Sequence, residues 1–390
     1  MNDGPAQSGK VLQHFPGRII DLKAQPSIPI PSEFLIETGN FCNLRCPFCP
    51  TGVGRAGMEL GLMSLDAFKT VLTKIEPYAY YLEMMNWGEP FINRCFVEMV
   101  ALAAGKGIRT NVDSNLSARE FTEDEAERIV RSGLWRIRGS IDGATQESYA
   151  HYRRRGKFDR ALRNLALLRR VREQLESSTP IIEWQFLINA RNYQEIEMAK
   201  AMAVERGVDL SFKLMDTWGE DDWRSPFHEM AERGEFNETE WSFSLPRSGT
   251  DQFFTPKQRT AQADTFMPEL PAGVPSGCAQ PFNRMVINWN GKVLPCCMCY
   301  GDNFYVGDLL TQSIEEVWYG PELSKSRRFL KHYGPQQQTR SVCETGACAL
   351  SSKYLGEPDD DVERRNRSVR IFRATAQGKP VAGSGDQSSA

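Results

Sequence analysis

The sequence predicts an α/β fold, six β-strands alternating with helices around a parallel sheet, followed by a compact cysteine-rich segment. Three observations predict it. Short β-rich runs recur at 34–39 (FLIETG), 80–87 (YYLEMMNW), 108–115 (IRTNVDSN), 135–142 (WRIRGSID), 181–189 (IIEWQFLIN) and 208–215 (VDLSFKLM), spaced as repeated βα units are. The stretches between them carry helix start signals: Ser64 caps 64–75, and Thr122, with Glu125 three residues on, caps 122–131. Two further helices are expected at 158–175 and 193–206. Finally, six of the ten cysteines lie between Cys278 and Cys348.

The 390 residues are enough for one large domain with a smaller one beside it. A 41% hydrophobic and 25% charged composition is ordinary for a globular chain. No apolar run approaches the roughly 20 residues that cross a bilayer, so no membrane partner is expected. The opening MNDGPAQSGKVLQ lacks a secretory pattern, and the expectation is a cytoplasmic protein with reduced thiols. In a reducing compartment, clustered cysteines are more often metal ligands or redox groups than disulfides. The net charge of −3 provides no field for nucleic acid, which leaves a small-molecule or peptide substrate. One basic run, Arg153-Arg154-Arg155-Gly156-Lys157, reads equally as a solvated face or an anion site.

The expected organisation has five parts. Residues 1–32 form a flexible lead-in, 33–215 the βα array, and 216–277 a linker or substrate-covering insertion rich in Trp, Pro, Gly and acidic residues. Residues 278–350 form the cysteine-rich unit, and 351–390 a C-terminal helix and a tail too polar to bury a core.

At the end of the first strand, Asn40-Phe41-Cys42-Asn43-Leu44-Arg45-Cys46-Pro47-Phe48-Cys49-Pro50 places thiols at i, i+4 and i+7. That spacing also fits a helical face, but Gly39, Pro47 and Pro50 favour a loop. Three thiolates on one loop suit a cubane cluster with one iron left open. Cys-x3-Cys-x2-Cys with an aromatic before the third cysteine resembles the signature of the radical S-adenosylmethionine (SAM) superfamily.

The resemblance implies a partial (β/α)6 TIM-like barrel and a [4Fe-4S] cluster on Cys42, Cys46 and Cys49. Its open iron would chelate SAM, and one electron from a flavodoxin- or ferredoxin-type donor would release a 5′-deoxyadenosyl radical. Family positions near SAM fall on Phe48, on Gly88-Glu89-Pro90 after the second strand, on Asn115, and on Ser140 and Asp142 in Ser-Ile-Asp-Gly. The basic run resembles the segment whose arginine meets the SAM carboxylate, Arg153 first and Arg155 second. Asn189 and the backbone near Leu214 and Met215 match positions of ribose and adenine contacts.

In the second cysteine group, Cys278 and Cys296 flank an Asn290-Gly291 turn, and Cys343 with Cys348 closes the segment. Spacing alone leaves a structural zinc site open. CAQPFNRMVINWNGKVLPCC, followed by Val306-Gly307-Asp308-Leu309 and Glu316-Val317-Trp318, resembles the SPASM/twitch extension. That implies an auxiliary [4Fe-4S] cluster on Cys278, Cys296, Cys343 and Cys348. Cys297 and Cys299 are then left as packed thiols or hydrogen donors, and Cys95 reads as a core residue on a helix.

The implied reaction begins with hydrogen abstraction from a carbon. It ends in dehydrogenation if the auxiliary cluster takes an electron, or in epimerisation if a thiol returns hydrogen. The short stretch before the first strand favours a sugar, aminocyclitol or similar natural-product intermediate, as in antibiotic pathways. A SPASM-type peptide maturase is the alternative, and a non-catalytic iron–sulfur or zinc module is a third reading.

Overall fold

A computed structural model describes residues 28, 30–55, 57–217, 221–236, 238, 242 and 280–327, and the backbone of 12–15, 18–21 and 328–331. Within the lead-in expected to be flexible, β1 (Leu12–Phe15) and β2 (Arg18–Asp21) pair as an antiparallel hairpin.

Six parallel strands follow in chain order: β3 (Glu33–Ile36), β4 (Tyr81–Glu83), β5 (Arg109–Ser114), β6 (Arg136–Ser140), β7 (Ile181–Ile188) and β8 (Asp209–Leu214). Each lies on a predicted run. Between them run α1 (Leu65–Ile75), α2 (Phe96–Gly105), α3 (Glu123–Arg131), α4 (Gln146–Tyr152), α5 (Phe158–Gln174) and α6 (Ile196–Arg206). This is the partial (β/α)6 barrel the sequence implies. The caps hold as read: Ser64 accepts from Ala67 N at 3.1 Å, and Thr122 with Glu125 closes a capping box. Cys95 is the half-buried residue just before α2 and not within it, packed beside the main core.

Strand alternation sorts the side chains. Phe34, Leu82, Val112, Ile137, Trp184 and Phe212 face the helices and join one large core. The opposite, inner face is far more polar, carrying Glu37, Glu83, Asp113, Arg138 and Asp142. Two small apolar clusters interrupt it, one around Leu35 and Val286, the other around Cys46 and Met215.

Beyond β3 the sheet continues into the cysteine-rich segment. β9 (Arg284–Ile287) pairs parallel with β3, and β10 (Lys292–Leu294) and β11 (Gly307–Asp308) complete a nine-stranded sheet. Gly291, at φ 78°, makes the turn into β10 that Asn290-Gly291 signals. At the other edge, Leu214 N donates to Glu238 Oε1 at 2.8 Å and Phe212 N to Ser242 Oγ at 2.9 Å. These side chains occupy the outward donors of an edge strand. From the stretch expected to be an insertion, α7 (Pro226–Glu232) packs Phe227 and Met230 against the barrel core. Elements of the cysteine-rich segment, α8 (Gln280–Asn283), α9 (Ile314–Trp318) and α10 (Pro321–Lys331), follow.

Candidate active site

The three-cysteine stretch is a loop, as the prolines require. Asn40 pins its start through Nδ2 to Glu59 O and through Oδ1 from Gly61 N, both at 2.8 Å. Cys49 N donates to Cys46 O at 3.2 Å, which turns the last two cysteines inward. Cys46 is buried and Cys42 and Cys49 are half-buried. Burial, helped by the nearby Glu89 charge, pushes the Cys42 thiol up to about 12. Burial also pushes Cys46 up to about 11, against the pull of Arg153, and raises Cys49. Each thiol feels the charge of another member of the trio. Three desolvated sulfurs in one another's field keep their protons at neutral pH unless a metal takes the protons' place. The donor set therefore fits an iron–sulfur cluster. Among the described residues no three His, Cys, Asp or Glu side chains converge as they would on one metal ion.

The turn after β4 is locked onto this loop. Glu89 N donates to Phe41 O at 2.7 Å. Gly88 lies so close that a Cβ there would stand 2.0 Å from Gly39 O. The buried Glu89 carboxylate accepts from Ser114 Oγ at 2.7 Å, Asn115 N at 2.8 Å and Phe91 N at 3.2 Å. Burial raises its pKa against those three bonds. Its oxygens thus fix the Gly88-Glu89-Pro90 backbone to the end of β5, with Pro90 opening a short 3-10 turn.

The strand ends converge on the same place. Asn115 Nδ2 donates to Asn43 Oδ1 at 3.0 Å and points at Cys42 Sγ, 3.8 Å away. Asp142 is fully buried; its Oδ2 accepts from Arg153 Nε at 2.5 Å and its Oδ1 from Leu187 N at 2.9 Å. Burial raises the Asp142 carboxyl while Arg153 pulls it down. Arg153 also bonds Cys46, so one guanidinium links strand end and cysteine loop. Arg155 is exposed, which leaves Arg153 as the inward arginine. Ser140 is buried beside Gln185 in the β6–β7 ladder. Asn189 uses its amide on its own turn, donating to Leu187 O at 3.2 Å and accepting from Arg191 N at 2.9 Å.

Phe48 and Met215 share a small apolar cluster with Leu44, Cys46 and Tyr152. Trp223, which sequence reasoning passed over, packs edge-on to Phe48 at 5.2 Å. Its only sequence signal is a tryptophan within an acidic stretch.

Of the second cysteine group, Cys278, Cys343 and Cys348 lie outside the described residues. Cys296 and Cys299 bring their thiols to 3.6 Å, and that contact lowers the Cys296 pKa to about 7. Cys297 lies in the field of Arg284 and Glu83. Tyr300, which follows Cys299, reaches back to Arg55 O at 3.3 Å, so the two cysteine loops touch.

Fold and site together define an enzyme that opens a cluster-bearing loop onto the mouth of a partial barrel. A radical SAM superfamily model matches residues 36–181, and the chain belongs to that superfamily. A SPASM model, an iron–sulfur cluster-binding domain, matches 278–349 and places the chain in the SPASM subgroup. SAM, its [4Fe-4S] cluster and auxiliary iron–sulfur binding come with that membership. The AdoMet-dependent heme synthase of Methanosarcina barkeri is 22% identical over 81% of this chain and 92% of its own. The mycofactocin maturase MftC of Mycobacterium tuberculosis is 23% identical over 82% and 78%. The PqqA peptide cyclase of Bradyrhizobium diazoefficiens is 29% identical over 30% of each chain. SuiB of Streptococcus suis bound to S-adenosylmethionine shares the fold with a TM-score of 0.57, at 16% identity over 83% of this chain and 71% of that one. AnSMEcpe with bound AdoMet shares it at 0.55, with 13% identity over 90% and 96%.

Among the described residues no helix is long and apolar enough to cross a membrane.

Proposed function

We propose that this chain is a SPASM-type radical SAM enzyme that modifies a peptide. The observation that carries the substrate class is the recurrence of peptide chemistry among its relatives. One is named a PqqA peptide cyclase, another a mycofactocin maturase, and SuiB, of the same fold, was solved with its precursor peptide SuiA. A polar inner sheet face can hold a peptide, so the sugar or aminocyclitol reading gives way to the peptide one.

In this reading Cys42, Cys46 and Cys49 hold the cluster, which when bound supplies the electron that starts hydrogen abstraction from a substrate carbon. Glu89 keeps the Gly88-Pro90 backbone facing the cysteine loop. Arg153, aimed by Asp142, places a fixed positive charge beside Cys46, where it would hold the SAM carboxylate. Phe48, Met215 and Trp223 exclude water from that side. Asn115 and Ser140 offer polar contacts at the strand ends. Asn189 is a weaker candidate, because its amide is already engaged. Cys296, Cys278, Cys343 and Cys348 serve the auxiliary cluster. The contact with Cys296 makes Cys299 a ligand candidate too and leaves Cys297 as the thiol available to the substrate.

Anaerobic reconstitution with SAM and reductant tests this. Candidate precursor peptides and aminocyclitols are supplied in parallel, and 5′-deoxyadenosine and substrate mass are followed. A peptide-dependent mass change supports the reading, and turnover confined to the cyclitols overturns it.

A further inference from the structure

The inner face of the sheet carries a ladder of charged side chains one to two layers below the strand ends. Two of its arginines are matched one to one. Arg138 donates to both oxygens of Asp113, at 2.8 and 2.7 Å. Arg136 Nε lies 3.4 Å from Glu183 Oε2, and Glu183 Oε1 accepts from Ser211 Oγ at 2.6 Å. The third arginine is shared. Arg284 Nη1 donates to Glu83 at 2.8 Å and Nη2 to Glu33 at 3.1 Å. Two carboxylates thus divide one guanidinium, and one negative charge is left over. Both are reachable, since the Glu83 side chain is 20% exposed and that of Glu33 41%.

A second observation lies next to Glu83. Asn111 is its Cα partner across the β4–β5 ladder, with Arg136 on the other side. It shares the inner face with Asp113 two residues on. Asn111 is completely buried, and neither its Nδ2 nor its Oδ1 has a hydrogen-bond partner. A buried amide with both ends unpaired calls for an explanation in a folded protein. A donor on a bound ligand would satisfy its Oδ1.

We propose that Glu83, Glu33 and Asn111 form a pocket for a cationic group of the substrate, with Arg284 setting the carboxylates in place. The pocket stands on these residues alone. It rests on the peptide reading only in identifying the cation as a lysine or arginine side chain. Burial, with the like charges of Asp113 and Glu33, raises the Glu83 carboxyl against the pull of Arg284 and Arg138, and a bound cation would offset that rise. Four residues of β5, about 13 Å, separate Asn111 from Asn115. A long cationic side chain bridges much of that distance and leaves its backbone near Asn115 and Ser140. Cys297 lies in the field of Arg284 and Glu83, which places the second cysteine loop on the same side of the sheet.

Equilibrium dialysis of the reconstituted full chain, saturated with SAM, uses three probes: acetyl-Gly-Lys-Gly-amide, its norleucine counterpart and n-butylamine. The lysyl peptide should bind roughly tenfold tighter than the norleucyl one, as a desolvated charge pair allows. Glu83→Gln and, independently, Glu33→Gln should erase most of that preference. Glu33→Gln, at the more exposed carboxylate, keeps the test open if Glu83→Gln folds poorly, which circular dichroism and iron content report. If neither peptide binds but n-butylamine does, and the variants lose it, the pocket stands and the peptide reading falls. Equal affinity for the two peptides, a preference that survives both substitutions, or no binding of any probe overturns the proposal.

Discussion

The indole nitrogen of Trp87 donates to the carbonyl of Cys299 at 3.2 Å, so the residue before Gly88 also holds the second cysteine loop. The same ring packs edge-on to Tyr300 at 5.9 Å, and the Trp87 backbone N–H bonds Glu37 at 3.1 Å. One side chain therefore ties the turn beside the first cluster loop to the loop of the second. Chemistry that passes between two cofactor sites needs their relative position fixed, and Trp87 supplies a specific contact that does so.

Replacing Trp87 with Phe keeps an aromatic ring and removes the N–H. The Cys299 carbonyl then loses its partner, and stability should fall by about 1 kcal/mol. Trp87→Ala, which also forfeits the Tyr300 packing, should fall further. Urea unfolding midpoints of the two variants against the parent measure both. If Phe proves as costly as Ala, the hydrogen bond rather than the ring packing carries the whole effect.

The Gly88 position permits a sharper test. Its missing Cβ would stand 2.0 Å from Gly39 O and 2.8 Å from the Cα of Asn40, distances at which backbone must move. Gly88→Ala should therefore unseat the Glu89–Phe41 bond and weaken SAM binding by at least about tenfold, roughly 1.4 kcal/mol. Dialysis with radiolabelled SAM provides the number, and retained affinity would show that the contact between turn and loop is dispensable.

Much of this was legible in the chain because the signals are local. Period-two runs and the Ser64 and Thr122 caps mark elements within a few residues, and Pro47 and Pro50 mark a loop. What joins the elements is not local. Arg284 meets Glu83 201 positions away, and Trp87 meets Cys299 across 212; no short window of sequence pairs them. The parallel addition of β9 to β3 was hidden for the same reason, because a strand of four residues carries no mark of its partner. The third group of misses is subtler. Trp223 and Asn111 are unremarkable until burial and neighbours are known, since a tryptophan or an asparagine reads as core or turn by default.

The Asp142–Arg153 pair is nearly solvent-free, with the carboxylate side chain fully buried and the guanidinium side chain 16% exposed. Breaking one partner of such a pair leaves a buried charge without its counter-charge, which costs about 3–5 kcal/mol. Asp142→Asn should reach that range, since the amide still accepts from Leu187 N but no longer neutralises Arg153. Adding Arg153→Met to it should recover part of the loss while SAM binding stays poor. A double-mutant cycle by chemical denaturation isolates the coupling, and additive losses would argue against a paired role.

Glu37 gives a prediction in pH. Its side chain is fully buried, its Oε1 has no partner, and burial pushes its carboxyl from 4.5 up to about 7 in spite of the Trp87 hydrogen bond. The unfolded chain releases this proton near 4.5 while the folded chain holds it until about 7. The protonated form is therefore the one that folding favours. Stability must fall as pH rises through that window and level off above it, with a total loss of about 3 kcal/mol. Glu37→Gln removes the titration and keeps an oxygen for Trp87 N–H. Relative to the parent, the variant should gain about 3 kcal/mol between roughly pH 4.5 and pH 8. Urea denaturation of the cluster-free chain at several pH values checks it, because Glu37 titrates in the protein with or without iron. A difference between variant and parent that stays flat across this range would mean that Glu37 is ionised in the fold, held by a partner other than Trp87.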